Sequence, residues 1–366
     1  MRRSLFAPLL LVCILSLTPP AVAQARKAVS ARKTVRRVKP DPPIDPTVGD
    51  NVDGEDLTIR RAAVAALGGK NGSVVVVDPA DGRVLSIVNQ KLALKSGFIP
   101  CSTIKLVTSL AALSDHVVER ESPVRISRYL TLDMDTAIAH SNNDYFGVLG
   151  TRLGYDRVLY YARMLGLGEK AGLDIPGEEP GEVPDGPPKA GGMVLETAYG
   201  EGFLVTPLEL AALLSAIANG GTLYYLQYPR SEAETASLKP QVKRSLELAA
   251  NGIPDVRVGM RGAVDYGTGK GAADPTEAIF GKTGTCTDFR VSSHMGWFGS
   301  FNEVTNHKLV VVVMLMGTHS VSGGVAAGVA GAIYRNLSEQ RYFTTVESAD
   351  PQMPQIITTR PTSGGQ

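Results

Sequence analysis

Cysteine is scarce in this chain, with three in 366 residues, at Cys13, Cys101 and Cys286, and no C-x-x-C pair among them. The five histidines (His116, His140, His294, His307 and His319) stand without ligand spacing, so no zinc or other metal site and no cofactor is expected. There is no glycine-rich phosphate loop and no nucleic-acid motif, which sets nucleotide chemistry and nucleic-acid partners aside. Beyond the first residues, no segment is long and apolar enough to span a bilayer. No internal repeat is found. What remains is an ordinary globular composition, 43% hydrophobic and 20% charged, with room for one large domain or two small ones.

Acid is missing from Met1 to Pro40, a stretch that holds nine of the 37 Lys and Arg residues. The rest of the chain carries 28 basic against 36 acidic residues, so a basic arm leads an acidic body. Residues 1–23 have the layout of a secretory signal peptide: "MRRS" is a positive start, "LFAPLLLVCILSL" an apolar run and "AVAQ" a cleavage site after Ala23. An exported, periplasmic or extracytoplasmic protein is therefore expected, with an uncleaved membrane anchor as the alternative. Cys13 falls in the removed run. Residues 24–56 read as a basic, proline-rich linker whose few large apolar residues cannot offset its ordering entropy. The plain reading of its seven basic residues is a solvated arm; attachment to an anionic membrane surface or wall polymer is the other. Residues 346–366 read as a disordered tail.

Residues 57–345 read as one continuous fold. "DLTIRRAAVAALGG" is a helix, and "SVVVVD" and "RVLSIVN" are strands joined by a "PADG" turn. Helices fill roughly Ser102 to Asn219, among them "DRVLYYARMLGLG" and "TPLELAALLSAIANGG", the latter opened by a Thr-Pro cap and closed by Gly-Gly. Three strands follow, in "AIFGKTG", "HMGWFGSF" and "KLVVVVMLM", and then a small-residue helix, "GGVAAGVAGAIYRNLSEQ". Two early strands and three late ones predict a single α+β sheet completed by both ends of the chain.

Ser102 and Lys105 stand three apart at the start of an apolar helix, so both side chains share one face and the amine can reach the hydroxyl. The helix N-terminus favours developing negative charge at Ser102. A lysine serves as base only if burial or a neighbouring cation lowers its pKa from about 10.4. An N-cap serine followed by a surface lysine would look the same. Two more segments change the weight: Ser141-x-Asn143 at the entry to another helix, and Lys282-Thr283-Gly284-Thr285 on a late strand. Trp297 reads as core or cleft wall, and His140 as a packed or exposed neighbour of Ser141 rather than a base.

In this order and spacing, S-x-x-K, S-x-N and K-T-G resemble the three motifs of the penicillin-recognising serine enzymes. The stretches "GSVVVVDPADGRVLSIVN", "LGLGEKAGLDIPGEEPGEVP", "AYGEGFLVTPLELAALLSAIANGG" and "GKTGTCTDFRVSSHMGWFGSF" extend the likeness to the transpeptidase domain of penicillin-binding proteins over about Gly72 to Asn336. The resemblance implies a β-lactamase/transpeptidase-like fold: a five-stranded, mostly antiparallel sheet, terminal helices on one face and an inserted helical subdomain. It implies an acyl-serine D,D-transpeptidase or D,D-carboxypeptidase acting on D-Ala-D-Ala stem peptides of peptidoglycan and acylated by β-lactam antibiotics. Ser102 would be the nucleophile, Lys105 its base and Ser141 a proton relay to the leaving amine. Asn143 would bind a substrate amide. Lys282 would supply a positive field and, with Thr283 and Thr285, hold the terminal carboxylate, while Gly284 admits the ligand closely. The backbone N–H groups of Ser102 and Thr285 would form the oxyanion hole.

The pattern departs from the family in three ways. Only 35 residues separate Lys105 from Ser141, fewer than usual. The common "PGSTFK" is "PCSTIK" here. No long N-terminal module and no glycosyltransferase region are expected ahead of the domain. A serine β-lactamase is the nearest alternative, but "DIPGEEPGEVPDG" lacks the E-x-x-x-N-type loop of one class, and the S-x-N motif is unusual for another. A non-catalytic β-lactam-binding or wall-binding protein is the third reading. If Ser102 and Thr285 share one oxyanion, then Cys101 and Cys286 become candidates for a disulfide. Their positions match a disulfide in class A β-lactamases that hydrolyse carbapenems. Two buried free thiols are the alternative.

Overall fold

The structure, a computed structural model, describes residues 42–95, 97–303 and 307–344. Chain order runs α1 (Leu57–Leu67), β1 (Gly72–Val77), β2 (Val84–Val88), α2 (Gln90–Ala93), a 3₁₀ turn (Cys101–Ile104) and α3 (Lys105–Ser114). A small ribbon, β3 (Val124–Arg125) with β4 (Thr131–Leu132), precedes α4 (Met134–Ala139), α5 (Asn143–Leu153) and α6 (Tyr155–Met164). A π-helical turn (Leu195–Tyr199) leads to α7 (Pro207–Asn219). Then come β5 (Thr222–Tyr224), α8 (Glu232–Ser237), β6 (Val242–Ser245) and α9 (Gly252–Asp265). The chain closes with β7 (Ile279–Asp288), β8 (Ser293–Asn302), β9 (Val310–Gly317) and α10 (Gly323–Glu339).

The main sheet has the order β2-β1-β9-β8-β7, and every neighbouring pair is antiparallel. Its valine-rich strands serve two cores because successive side chains point to opposite faces. Val75, Val77, Val310 and Val312 join the core that contains α3, α5 and α7, while Val74, Val76, Val311 and Val313 join the one beneath α1 and α10. Both faces are covered, which is why the strands read as unbroken apolar runs. The terminal helices share one face, as the family resemblance implies.

Helix α7 begins where the sequence signals it. The Thr206 hydroxyl accepts from the Glu209 N–H at 3.0 Å, the Glu209 carboxylate accepts from the Thr206 N–H at 2.7 Å, and Gly220 ends the helix at φ 90°. Helix α7 is buried along almost its whole length.

The expected linker boundary after residue 56 needs correction for its described part. Asp50 accepts from the N–H groups of Asn89 (3.0 Å) and Gln90 (2.8 Å), and Glu55 accepts from the Ile87 N–H (3.0 Å), so residues 50–56 dock on the outer edge of β2. Arg60 ties both carboxylates to α1, and the Tyr228 hydroxyl donates to Glu55. Carboxylates are satisfying edge N–H groups here, an anchoring role that apolar content does not measure. The signal-peptide reading of residues 1–23, the rest of the linker to residue 41 and the tail 346–366 lie outside the described residues.

Candidate active site

Three segments bring their polar residues to one point. The first is the 3₁₀ turn that opens α3. Cys101 there adopts φ 51°, and its sulfur is joined to Cys286 of β7, with Cα atoms 5.5 Å apart. Helix α3 is buried along nearly its whole length, so Lys105 on its first turn has only the interior to enter. Its side chain is fully buried. Lys105 Nζ lies 3.0 Å from Ser102 Oγ, 2.7 Å from the Ser141 carbonyl oxygen, 3.0 Å from Ser141 Oγ and 2.6 Å from Asn143 Oδ1.

The second segment is the turn between α4 and α5. Ser141 holds φ 55°, a conformation that turns the chain sharply between the helices. Asn142 caps α5 by accepting from the Tyr145 N–H at 2.8 Å, which leaves Asn143 free to face the lysine. The third segment is β7, the edge strand of the main sheet, which lies beside the 3₁₀ turn. From it Lys282 donates to Ser141 Oγ at 2.8 Å and to the Thr283 carbonyl at 2.9 Å. The Thr285 hydroxyl accepts from the Gly323 N–H at 2.8 Å, so its own proton is free to point outward.

Two lysine nitrogens therefore share one hydroxyl, that of Ser141. Burial lowers the Lys105 pKa from 10.5 to about 7. Burial and the neighbouring Lys105 together hold Lys282 well below the usual lysine value. Two amines flanking one hydroxyl oxygen in a dry site titrate as a pair. The charge of Lys105 is one cause of the Lys282 depression, after burial. At neutral pH the arrangement can offer Ser102 an unprotonated amine while keeping a donor beside Ser141.

Gly284 is needed for closeness. A Cβ built there would lie 2.9 Å from the Pro100 carbonyl oxygen and 3.3 Å from Cys101 Cβ, so any side chain would push β7 off the nucleophile's turn.

Several contacts escape the sequence reading. The Ala198 carbonyl lies 3.3 Å from Ser102 Oγ, at the end of a contact spanning 96 residues. Thr268 Oγ1 and Thr283 Oγ1 are 2.6 Å apart. Trp297 is fully buried and donates to the Ile99 carbonyl at 3.0 Å, which props the segment entering the 3₁₀ turn. His140 is exposed and meets the Tyr266 ring at 5.7 Å. The only sequence signal for Thr268 is its place in the small-residue run "YGTGKG". Thr268→Val removes this contact; if Thr283 holds a substrate carboxylate, as the resemblance implies, the expected result is a roughly tenfold rise in KM for carboxylate-bearing substrates with little change in kcat. Steady-state kinetics check the split.

The chain belongs to the family of penicillin binding protein transpeptidase domains, whose model matches residues 72–338. It is 29% identical over 333 residues to stage V sporulation protein D of Bacillus subtilis, covering 78% of this chain and 50% of that protein. It is 26% identical over 305 residues to the peptidoglycan D,D-transpeptidase MrdA of Acinetobacter baumannii, covering 66% of this chain and 45% of that one. The chain thus spans about half the length of these curated relatives. The transpeptidase domain of Burkholderia pseudomallei penicillin-binding protein 3 shares the fold with a TM-score of 0.65 at 23% identity, over 82% of this chain and 98% of that one. No described helix is long and apolar enough to cross a membrane.

Proposed function

We propose that the protein is a serine D,D-transpeptidase or D,D-carboxypeptidase of peptidoglycan stem peptides, and that β-lactams acylate it at the same serine. The observation that carries this reading is the contact of Lys105 Nζ with both Ser102 Oγ and Ser141 Oγ, the latter also held by Lys282. Ser102 Oγ attacks the penultimate D-Ala carbonyl while neutral Lys105 takes the hydroxyl proton. The tetrahedral oxyanion is received by the backbone N–H groups of Ser102 and Thr285. Ser141 passes a proton to the departing D-Ala amine as the C–N bond breaks, leaving an acyl-Ser102 ester. An acceptor amine, or water in a carboxypeptidase, then attacks that ester and Ser102 recovers its proton. Thr283, Thr285 and Lys282 hold the substrate's terminal carboxylate, and Asn143 binds a substrate amide. Export by residues 1–23, a basic arm over residues 24–41 that meets an anionic surface, and a tail beyond residue 345 belong to the same proposal.

The test is acylation by a fluorescent penicillin followed by the rate of label loss. A label that persists for minutes or longer, together with D-Ala release from a stem pentapeptide, is expected. Loss within seconds, with multiple-turnover hydrolysis of a chromogenic cephalosporin, would instead make the protein a β-lactamase.

The Cys101–Cys286 bond closes a span of 185 residues. Constraint of the unfolded chain by such a loop contributes on the order of 5 kcal/mol. Reduction should lower the denaturant midpoint and slow acylation, since the bond ties the nucleophile's turn to β7. Denaturant unfolding and penicillin labelling with and without reductant measure both effects, and unchanged values would deny the disulfide either role.

A further inference from the structure

Among the described carboxylates with a buried oxygen that makes no hydrogen bond, Glu196 is the one that also has no ion pair. Glu196 is only 3% exposed, and its Oε2 atom makes no hydrogen bond. A buried carboxylate of this kind is costly unless something arrives to meet it. Burial alone raises its pKa to about 7. Glu196 lines a cavity of about 770 Å³, ample for part of a peptide. Around the rest of that cavity stand Glu182, Asp185 and Glu201 against the single cation Lys189, with Pro187 and Leu195 supplying apolar wall. The chemistry asked for is an aliphatic stem ending in a positive hydrogen-bond donor.

The cavity is also placed beside the reaction. Glu196 belongs to the same π-helical turn, Leu195–Tyr199, as Ala198, whose carbonyl lies 3.3 Å from Ser102 Oγ. π-helical turns of this kind often occur at functional sites. A second groove of about 510 Å³, walled by Thr287, Phe289 and Arg290 at the end of β7, shares Glu182, Glu201 and Gly202 with the cavity. An extended peptide can thus have one part along the end of β7 and another over Glu196.

We propose that this cavity is a subsite for the ammonium-ended side chain of a stem peptide, with Glu196 as its buried counter-charge. The proposal rests on the transpeptidase reading above. It takes the ammonium form, because charge-assisted hydrogen bonds to a desolvated carboxylate are the strong ones. The peptide comes from either the acyl-donor strand or the acceptor strand. The two differ in timing, because an acceptor binds after Ser102 is acylated.

The experiment titrates the full chain calorimetrically with L-Ala-γ-D-Glu-L-Lys and with its Nε-acetyl derivative, before and after acylation by penicillin. A preference of about tenfold or more for the free amine is expected. Preference that survives acylation identifies the acceptor strand, and preference confined to the free protein identifies the donor strand. Glu196→Gln should erase the preference while retaining a cooperative thermal transition. If that variant does not fold, the exposed pair Glu182→Gln and Glu201→Gln should reduce the preference several-fold. Equal affinities for the two peptides, or an undiminished preference in a folded Glu196→Gln variant or in the exposed double variant, overturn the subsite. Penicillin labelling of the parent tests the transpeptidase reading separately, so a labelled protein without amine preference loses only the subsite.

Discussion

Ser102→Ala abolishes covalent labelling by penicillin and leaves the fold intact. The chemical half of this expectation follows from the absence of a substitute nucleophile in the right place. Ser141 Oγ is held by both lysines, at 3.0 Å and 2.8 Å, and sits in the turn that opens α5 rather than on the nucleophile's turn. The structural half follows from what the hydroxyl does in the resting protein. It contacts the Ala198 carbonyl at 3.3 Å and Lys105 at 3.0 Å, and Lys105 retains three other acceptors when it is gone. Loss of one such contact costs on the order of 1 kcal/mol, far from enough to unfold a domain of this size. Gel fluorescence with circular dichroism on the same sample decides it. Undiminished labelling of a folded variant would place the nucleophile elsewhere.

What the sequence revealed, and what it hid, divides along the range of the interactions. The sheet strands were legible because a valine run bounded by turns is a local signal, and "VVVV" at residues 74–77 pairs as expected with residues 84–88. Helix α7 was legible because its cap and stop are local chemistry. The Ser102–Lys105 pairing was legible because helical spacing alone makes it. Residues 222–277 gave no firm element, since α9 carries glycines and a proline within "GIPDVRVGMRGAVD" and owes its burial to packing against α4 and β7. The docking of Asp50 and Glu55 was hidden for a related reason, since a carboxylate that caps a distant strand looks like a solvated one. The bond between Thr268 and Thr283, the Ala198 carbonyl and the orphaned Glu196 depend on the assembled fold and have no periodicity to announce them.

The base is the harder claim, and replacing Lys105 by methionine tests it without hollowing the core. Methionine fills nearly the same volume, so the fully buried site stays packed, whereas alanine would leave a cavity. Acylation should fall about 10³-fold, the scale of a positioned general base. The parent rate should climb as pH rises through about 7, where Lys105 gives up its proton, and the variant should lose that limb. Stability carries an independent signature. Lys105 has a folded pKa lowered from 10.5 to about 7, so stability that is full above the unfolded value is lost progressively as pH falls from about 10.5 to the folded value near 7. Lys282 shifts in the same direction and is partly relieved when Lys105 is removed, because the charge of Lys105 is one cause of its depression. The methionine variant should therefore gain on the parent in unfolding free energy as pH drops from about 10 towards 7, and level off below. Parallel stability curves over that range, or acylation at the parent rate near neutral pH, would show that Lys105 enters the site as an ordinary ammonium and that the proton of Ser102 leaves by another route.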